Sequence, residues 1–288
     1  MTNTLTQAVE HFATLTQNIS DTQLERAWAW QSYDSEGIRF AFFRTYEELR
    51  ELAVKLRSEH SAQGRPPSAA QLILARYDVA YWDLQAALCG LTPGQIEQAP
   101  AEGEWPIHKV VAHILGANLG FYVAVRYALE RQRSGDGRPA EITEEAWAAI
   151  SGLDEAAYDA LMAGPFAGLQ DYHRALHERV LREFAGISDA ELETPSRYWE
   201  KEVMSVRFRL HRFDSHVRQH VIQVDKTIAA LGQSPNEAKR LVRLIYAALA
   251  DVNAALIGAW DVAEGSRHEL AQTIRARAEE IAGLLGKV

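Results

Sequence analysis

The sequence predicts an all-α protein, on three observations. Apolar residues recur at three- and four-residue intervals through most of the chain. No segment shows the sustained apolar–polar alternation of a strand. Stretches containing Gly and Pro cut the chain into helix-length pieces joined by short loops, which favours antiparallel neighbours in a bundle.

Taken in order, residues 4–17 and 20–31 read as short helices, the second opened by Ser20-Asp21-Thr22. Gly37 precedes a longer amphipathic helix to about Ser58, with Phe40, Phe43, Leu49, Leu52, Val54 and Leu56 as its stripe. The linker 62–68, with Gly64, Pro66 and Pro67, marks a boundary. Residues 1–67 before it read as an N-terminal helical extension.

The core opens with a helix from Ser68 to about Gly90 on Leu72, Ala75, Val79, Trp82 and Ala86. A loop leads to Trp105-Pro106, a suitable first turn for a helix running to about Arg131. Its stripe is Val110, Ile114, Ala117, Phe121, Val125 and Ala128, with His113 beside it. Gly116 and Gly120 share the face of His113. Glycine inside a helix costs about 1 kcal/mol relative to alanine, so either space is wanted there or two helices approach closely.

A short acidic helix is expected over 143–162, then one from Gly164-Pro165 to Phe184 on Phe166, Leu169, His173, Leu176, Val180 and Phe184. His173 and His177 form an HxxxH pair near the middle of that face. His173 is open to three readings: a satisfied core histidine, the wall of a pocket, or a metal ligand. A long helix then spans Ser205 to Gly232 on Leu210, Phe213, Val217, Val221, Val224, Ile228 and Leu231. Two more, about 236–259 and 267–285, close the chain.

Composition removes several function classes. The 288 residues carry 39 acidic and 30 basic side chains, a net charge of −9. Phosphate contacts need clustered Lys and Arg, so no nucleic-acid partner is expected. The single cysteine, Cys89, admits no intramolecular disulfide, which fits a reducing, cytoplasmic setting. The first residues lack a basic segment followed by an apolar one, so no signal peptide is read. No apolar run reaches the roughly 18 residues of a transmembrane helix, so no membrane partner is expected.

The chemistry concentrates on the Ser205–Gly232 helix. At about 100° per residue, His216 and His220 lie one turn apart on one side, with Arg209, Gln223 and Thr227 on the same polar seam. His211 points elsewhere. Two imidazoles at i and i+4 can grip one divalent metal. The alternative is two histidines at the rim of a core, bonded to water or carbonyls. Gln223 is placed to orient a ligating ring through its outer nitrogen. Arg209 is placed to face an anionic substrate group, or else forms a surface salt bridge. No general base is evident, and Asp78 and Asp83 lie on the first core helix without a readable direction.

Two stretches carry a resemblance. Trp105-Pro106 followed by His113-Ile114-Leu115, and His216-x3-His220-x2-Gln223 continuing to Leu231-Gly232, resemble the second- and fourth-helix motifs of the DinB/YfiT-like superfamily. The Leu91-Thr92-Pro93-Gly94 loop with Pro100 and Gly103 is also similar. The resemblance covers about 68–232 and implies a four-helix core there, with an N-terminal extension over 1–67 and a C-terminal extension over 233–288. It implies an up-up-down-down four-helix bundle, here with extra N- and C-terminal helices. It also implies a divalent metal, zinc or nickel, on His113, His216 and His220. Three imidazoles leave a position open for water or a thiolate, as in catalytic rather than structural sites. A closed structural site would recruit a fourth ligand, with His173 as the candidate.

Relatives of this kind include S-transferases and isomerases that use mycothiol, bacillithiol or glutathione. The expectation is therefore a metal-dependent thiol S-transferase or hydrolase with a small-molecule substrate and a low-molecular-weight thiol as possible co-substrate. The alternatives are a module that binds metal or a small ligand without turnover, and a structural helical protein. A homodimer is also expected, since bundles of this family pair through helix faces.

Overall fold

The computed structural model describes residues 4–200 and 202–286. Helices account for nearly all of the regular structure: α1 (Thr4–Thr16), α2 (Asp21–Leu24), α3 (Ile38–Ala62), α4 (Ala69–Leu88), α5 (Pro93–Glu97), α6 (Ile107–Arg133), α7 (Glu144–Ser151), α8 (Glu155–Met162), α9 (Phe166–Phe184), α10 (Val206–Ala230), α11 (Glu237–Leu256) and α12 (Glu264–Leu284). A two-residue antiparallel pair, β1 (Pro195–Ser196) with β2 (Met204–Ser205), precedes α10. The all-α class stands.

Several boundaries differ from expectation. Ser20 does start α2, with a reciprocal Ser20–Gln23 capping box. The helix stops after Leu24 because the chain turns there: Ile38 N donates to Arg26 O, and a Cβ on Gly37 (φ +62°) would lie 2.5 Å from that same oxygen. The acidic segment is two helices, broken by Gly152 in the left-handed region (φ +77°). Asp154 then caps α8, accepting from Ala157 N. The loop after Leu91 holds the short helix α5.

The chain forms two compact units. One comprises residues 1–66, 82–93 and 228–288; the other comprises 67–81 and 94–227. In the first unit α1 packs on α12 and α3 on α11. The terminal segments, expected as two separate extensions, thus fold together. Leu5, Val9, Phe12, Phe42, Leu49, Ile245, Leu249, Ile274 and Ile281 are buried there. Each such side chain is worth about 1.5–3 kcal/mol on burial. Val54 is instead 58% exposed, because α3 buries Ala41, Thr45, Leu52 and Leu56 on its opposite side.

The second unit rests on the first part of α4, on α6 and α9, and on most of α10. The stripe expected for α4 holds at Trp82 and Ala86, which are buried in the first unit, but not in the part that belongs to the second. Ile73, Leu74, Tyr77, Ala80 and Tyr81 are buried and Leu72 is 54% exposed. This helix is apolar nearly all round, so its period left the face ambiguous. The fully buried Asp78 disguised it further. Asp83, which falls in the first unit, pairs with Arg243 there at 2.6 Å.

One helix bears on the membrane expectation. By length and composition α6 is long and apolar enough to cross a membrane, although 67% of that window is buried within the fold.

His173 is a core histidine. It is 1% exposed, and Asn118 Nδ2 donates to its Nε2 over 3.0 Å while also reaching the Tyr77 hydroxyl at 3.3 Å. Burial, with a smaller push from His177, lowers its pKa to about 3. The unfolded chain protonates it near 6.5. Below that pH the unfolded state takes up a proton that the native state refuses. The contribution of His173 is therefore intact above about pH 6.5 and lost progressively toward pH 3, at up to about 1.4 kcal/mol per pH unit. Urea midpoints between pH 7 and 4 are expected to fall for the metal-free chain and to fall less steeply in His173→Gln.

Candidate metal centre

The site is assembled from the second turn of α6 and the middle of α10. Pro106 precedes α6 with extended backbone (φ −66°, ψ 160°) and its carbonyl accepts from Val110 N. Two turns in, His113 stands on an exposed edge, its ring meeting Trp105 edge-on at 5.3 Å. Ser205 caps α10, its Oγ accepting from Phe208 N at 3.2 Å. From there the apolar residues Leu210, Phe213, Val217, Val221 and Val224 face the core. Their stripe carries His216 (7% exposed) and His220 (6% exposed) to its margin.

The three rings meet through the same atom. His216 Nε2 lies 3.2 Å from His113 Nε2 and 3.1 Å from His220 Nε2, and all three ligand atoms fall within 4.8 Å of one another. His220 Nδ1 donates to Gln223 Oε1 at 2.8 Å, which leaves the lone pair of its Nε2 toward the other two. Burial, then the neighbouring His220 and His113 and the Arg212 cation, push the pKa of His216 down to about 3. Burial and His220 lower that of His113. Neutral imidazoles with converging lone pairs repel unless a cation lies among them. Zinc–nitrogen bonds of about 2.0–2.1 Å at tetrahedral angles put two ligand nitrogens roughly 3.3 Å apart, close to the two separations found. The donor set fits a divalent cation.

The remaining surroundings are aromatic. Phe121 meets His216 edge-on at 5.9 Å. His216 Nδ1 is buried and has no hydrogen-bond partner among the described residues, so packing holds this ring in place. Among those residues no further His, Cys, Asp or Glu joins the three. The expected candidate for a fourth ligand, His173, is engaged with Asn118. His177 Nε2 faces Asp78 Oδ1 at 2.9 Å.

Of the other expected residues, Gln223 meets His220, while Arg209 is turned to a carboxylate of the chain. Arg209 is fully buried, its guanidinium paired with Glu200 and its Nε donating to Ser196 Oγ at 3.1 Å. The pair is an internal one and not the surface salt bridge that was the alternative. Gln223→Leu is expected to weaken metal affinity about 10–100-fold, the usual cost of losing an outer hydrogen bond to a ligating histidine. Competition titration against a chromogenic chelator reads this; unchanged affinity would refute the role of Gln223.

Two tyrosines are additions that the sequence did not disclose. A Cβ on Gly116 would lie 2.7 Å from the Tyr158 hydroxyl, and one on Gly120 would overlap the Tyr198 phenol. The glycines beside His113 thus make space, and tyrosines from α8 and from the β1–β2 connection fill it. The glycines were legible; nothing in the sequence linked them to residues 42 and 78 positions away.

A family model described as the DinB superfamily matches residues 76–224, just over half of the chain. Among solved structures, one of YfiT from Bacillus subtilis is similar at 19% identity over 57% of this chain and 87% of that one, with a TM-score of 0.39. It is described as a probable metal-dependent hydrolase with an unusual four-helix bundle topology. No curated protein matches the chain.

Proposed function

Because the chain belongs to the DinB superfamily, we propose that His113, His216 and His220 hold one divalent cation and that the protein is a metal-dependent enzyme acting on a small molecule. The observation that carries the reading is the meeting of three imidazole Nε2 atoms, with separations of 3.1 and 3.2 Å. A cation on three neutral imidazoles supplies a Lewis acid with a position open to water or a thiol, whose pKa it lowers.

The chain's own residues do the rest. His220 is fixed in one tautomer by Gln223. His216 is kept neutral by burial. His113, the exposed member of the three, marks the side from which a ligand enters. Trp105 covers one edge of that ring, with the Lys109 ammonium 4.8 Å over the indole. The Tyr158 and Tyr198 hydroxyls supply donors beside the glycine face of α6. The reaction is hydrolysis by bound water or transfer of a small electrophile to a low-molecular-weight thiol.

The test is a paired screen of the zinc- or nickel-loaded chain. One arm uses ester and amide probes. The other uses glutathione, bacillithiol or mycothiol with small electrophiles. Turnover that disappears with chelator and returns with metal is the expected result. A chain that binds one metal but turns over neither class would be a binding module. A chain that binds none would overturn the proposal.

A further inference from the structure

Four arginines lie on α10, and three have a carboxylate. Arg207 pairs with Glu193 at 2.8 Å, Arg209 with Glu200, and Arg218 with Asp214 at 2.5 Å. Arg212 alone among them has none among the described residues; its polar partner is the neutral Ser215 Oγ at 3.2 Å. This half-buried side chain sits one turn before His216, its guanidinium 5.8 Å from the centre of the Phe121 ring. Its charge reaches His216.

Phe121 also touches the edge of Tyr198, at 6.2 Å between ring centres. The Tyr198 hydroxyl, set against Gly120, has no hydrogen-bond partner among the described residues, and neither does that of Tyr158 against Gly116. Three other tyrosines of the same unit are engaged, Tyr77 with Asn118, Tyr122 with Glu183 and Tyr172 with the Ser151 carbonyl, while Tyr127 meets the Arg131 guanidinium through its ring.

We infer that Arg212 and the Tyr198 hydroxyl, seconded by Tyr158, form a subsite for an oxyanion, a carboxylate or phosphate group carried by the small molecule that reacts at the three-histidine centre. The guanidinium presents a planar fork matched to two oxygens of such a group. Phenols donate without adding charge, and burial holds the Tyr198 phenol protonated by raising its pKa to about 12. One helical turn, roughly 5–6 Å, separates Arg212 from His216. The inference rests on the metal-centre reading for what the subsite serves, but anion binding itself needs no metal.

The experiment follows the Arg Nε–Hε NMR signals of the full chain, with and without zinc, during titration with benzoate, phenyl phosphate or uncharged benzyl alcohol. Metal content is measured on every sample. A saturable shift of the Arg212 signal with one or both anions, and none with benzyl alcohol, is expected. A response to phenyl phosphate alone assigns a phosphate and to benzoate alone a carboxylate; either upholds the subsite. Arg212→Gln is expected to weaken binding at least about tenfold, and Tyr198→Phe roughly threefold to tenfold, while metal content stays unchanged. Arg218→Gln should match the wild type.

Absence of a saturable shift in the wild type, or wild-type affinity in both Arg212→Gln and Tyr198→Phe, overturns the inference. Should Arg212→Gln fail to fold, the wild-type Arg212 shift and Tyr198→Phe decide the matter. Anion binding in a chain that takes no metal would overturn the metal centre alone. Metal binding without the Arg212 shift would overturn the subsite alone.

Discussion

Alanine at His216 is expected to leave the purified chain without stoichiometric metal, where the wild type is expected to retain about one divalent cation per chain. His216 Nε2 is the atom that the other two Nε2 atoms meet, so its loss removes the shared vertex and not merely one ligand of three. The affinity loss should exceed the 10–100-fold typical of an outer-shell change such as Gln223→Leu. The fold should survive, because the ring lies at the margin of the α10 stripe and its Nδ1 has no partner among the described residues. Deleting a half-satisfied polar group from such a place can be nearly neutral. Elemental analysis in chelator-free buffer, with circular dichroism on the same samples, reads both effects. Equal metal content in variant and wild type would refute the three-histidine centre. A variant that loses metal together with its helix signal would make His216 a packing residue.

Most of the site could be read from the chain because helical spacing is a short-range rule. His216, His220 and Gln223 lie within eight residues, and their shared face follows from 3.6 residues per turn. His113 stands 103 residues away, and only its matching offset on a second stripe, together with the family resemblance, tied it to them. Arg209 and Arg212 show where that rule stops. Both lie on or near the polar seam of α10, and spacing cannot say which one the chain elsewhere neutralises. The answer lies in Glu200, brought over Arg209 by the β1–β2 connection. Tyr158 and Tyr198 were hidden for the same reason. The first half of the α4 stripe failed for a different one: when Leu72, Ile73 and Leu74 are all apolar, periodicity has little contrast, and the aspartate at 78 pointed the reading away from the buried face.

That aspartate is the second place where a large effect is expected. Asp78 is fully buried and meets His177 Nε2 at 2.9 Å, while the His177 ring lies flat on Tyr81, 3.7 Å between centres and 6° between planes. Tyr77 closes the other side edge-on at 5.2 Å. Asp78→Ala takes away the carboxylate and leaves a 4% exposed imidazole facing a void. Breaking a buried pair from one side costs about 3–5 kcal/mol. Asp83→Ala, five residues along the same helix, removes the partner of Arg243 from a site where both groups reach solvent (31% and 37% exposed). It should cost no more than about 1 kcal/mol. Urea unfolding of the two variants at pH 7 makes the comparison with chain, helix and side-chain chemistry held constant. Similar midpoints would mean that the Asp78–His177 pair contributes no more than a surface contact. A large gap would place the structural weight of the second unit on its buried polar core, leaving the three histidines at its margin free for a ligand.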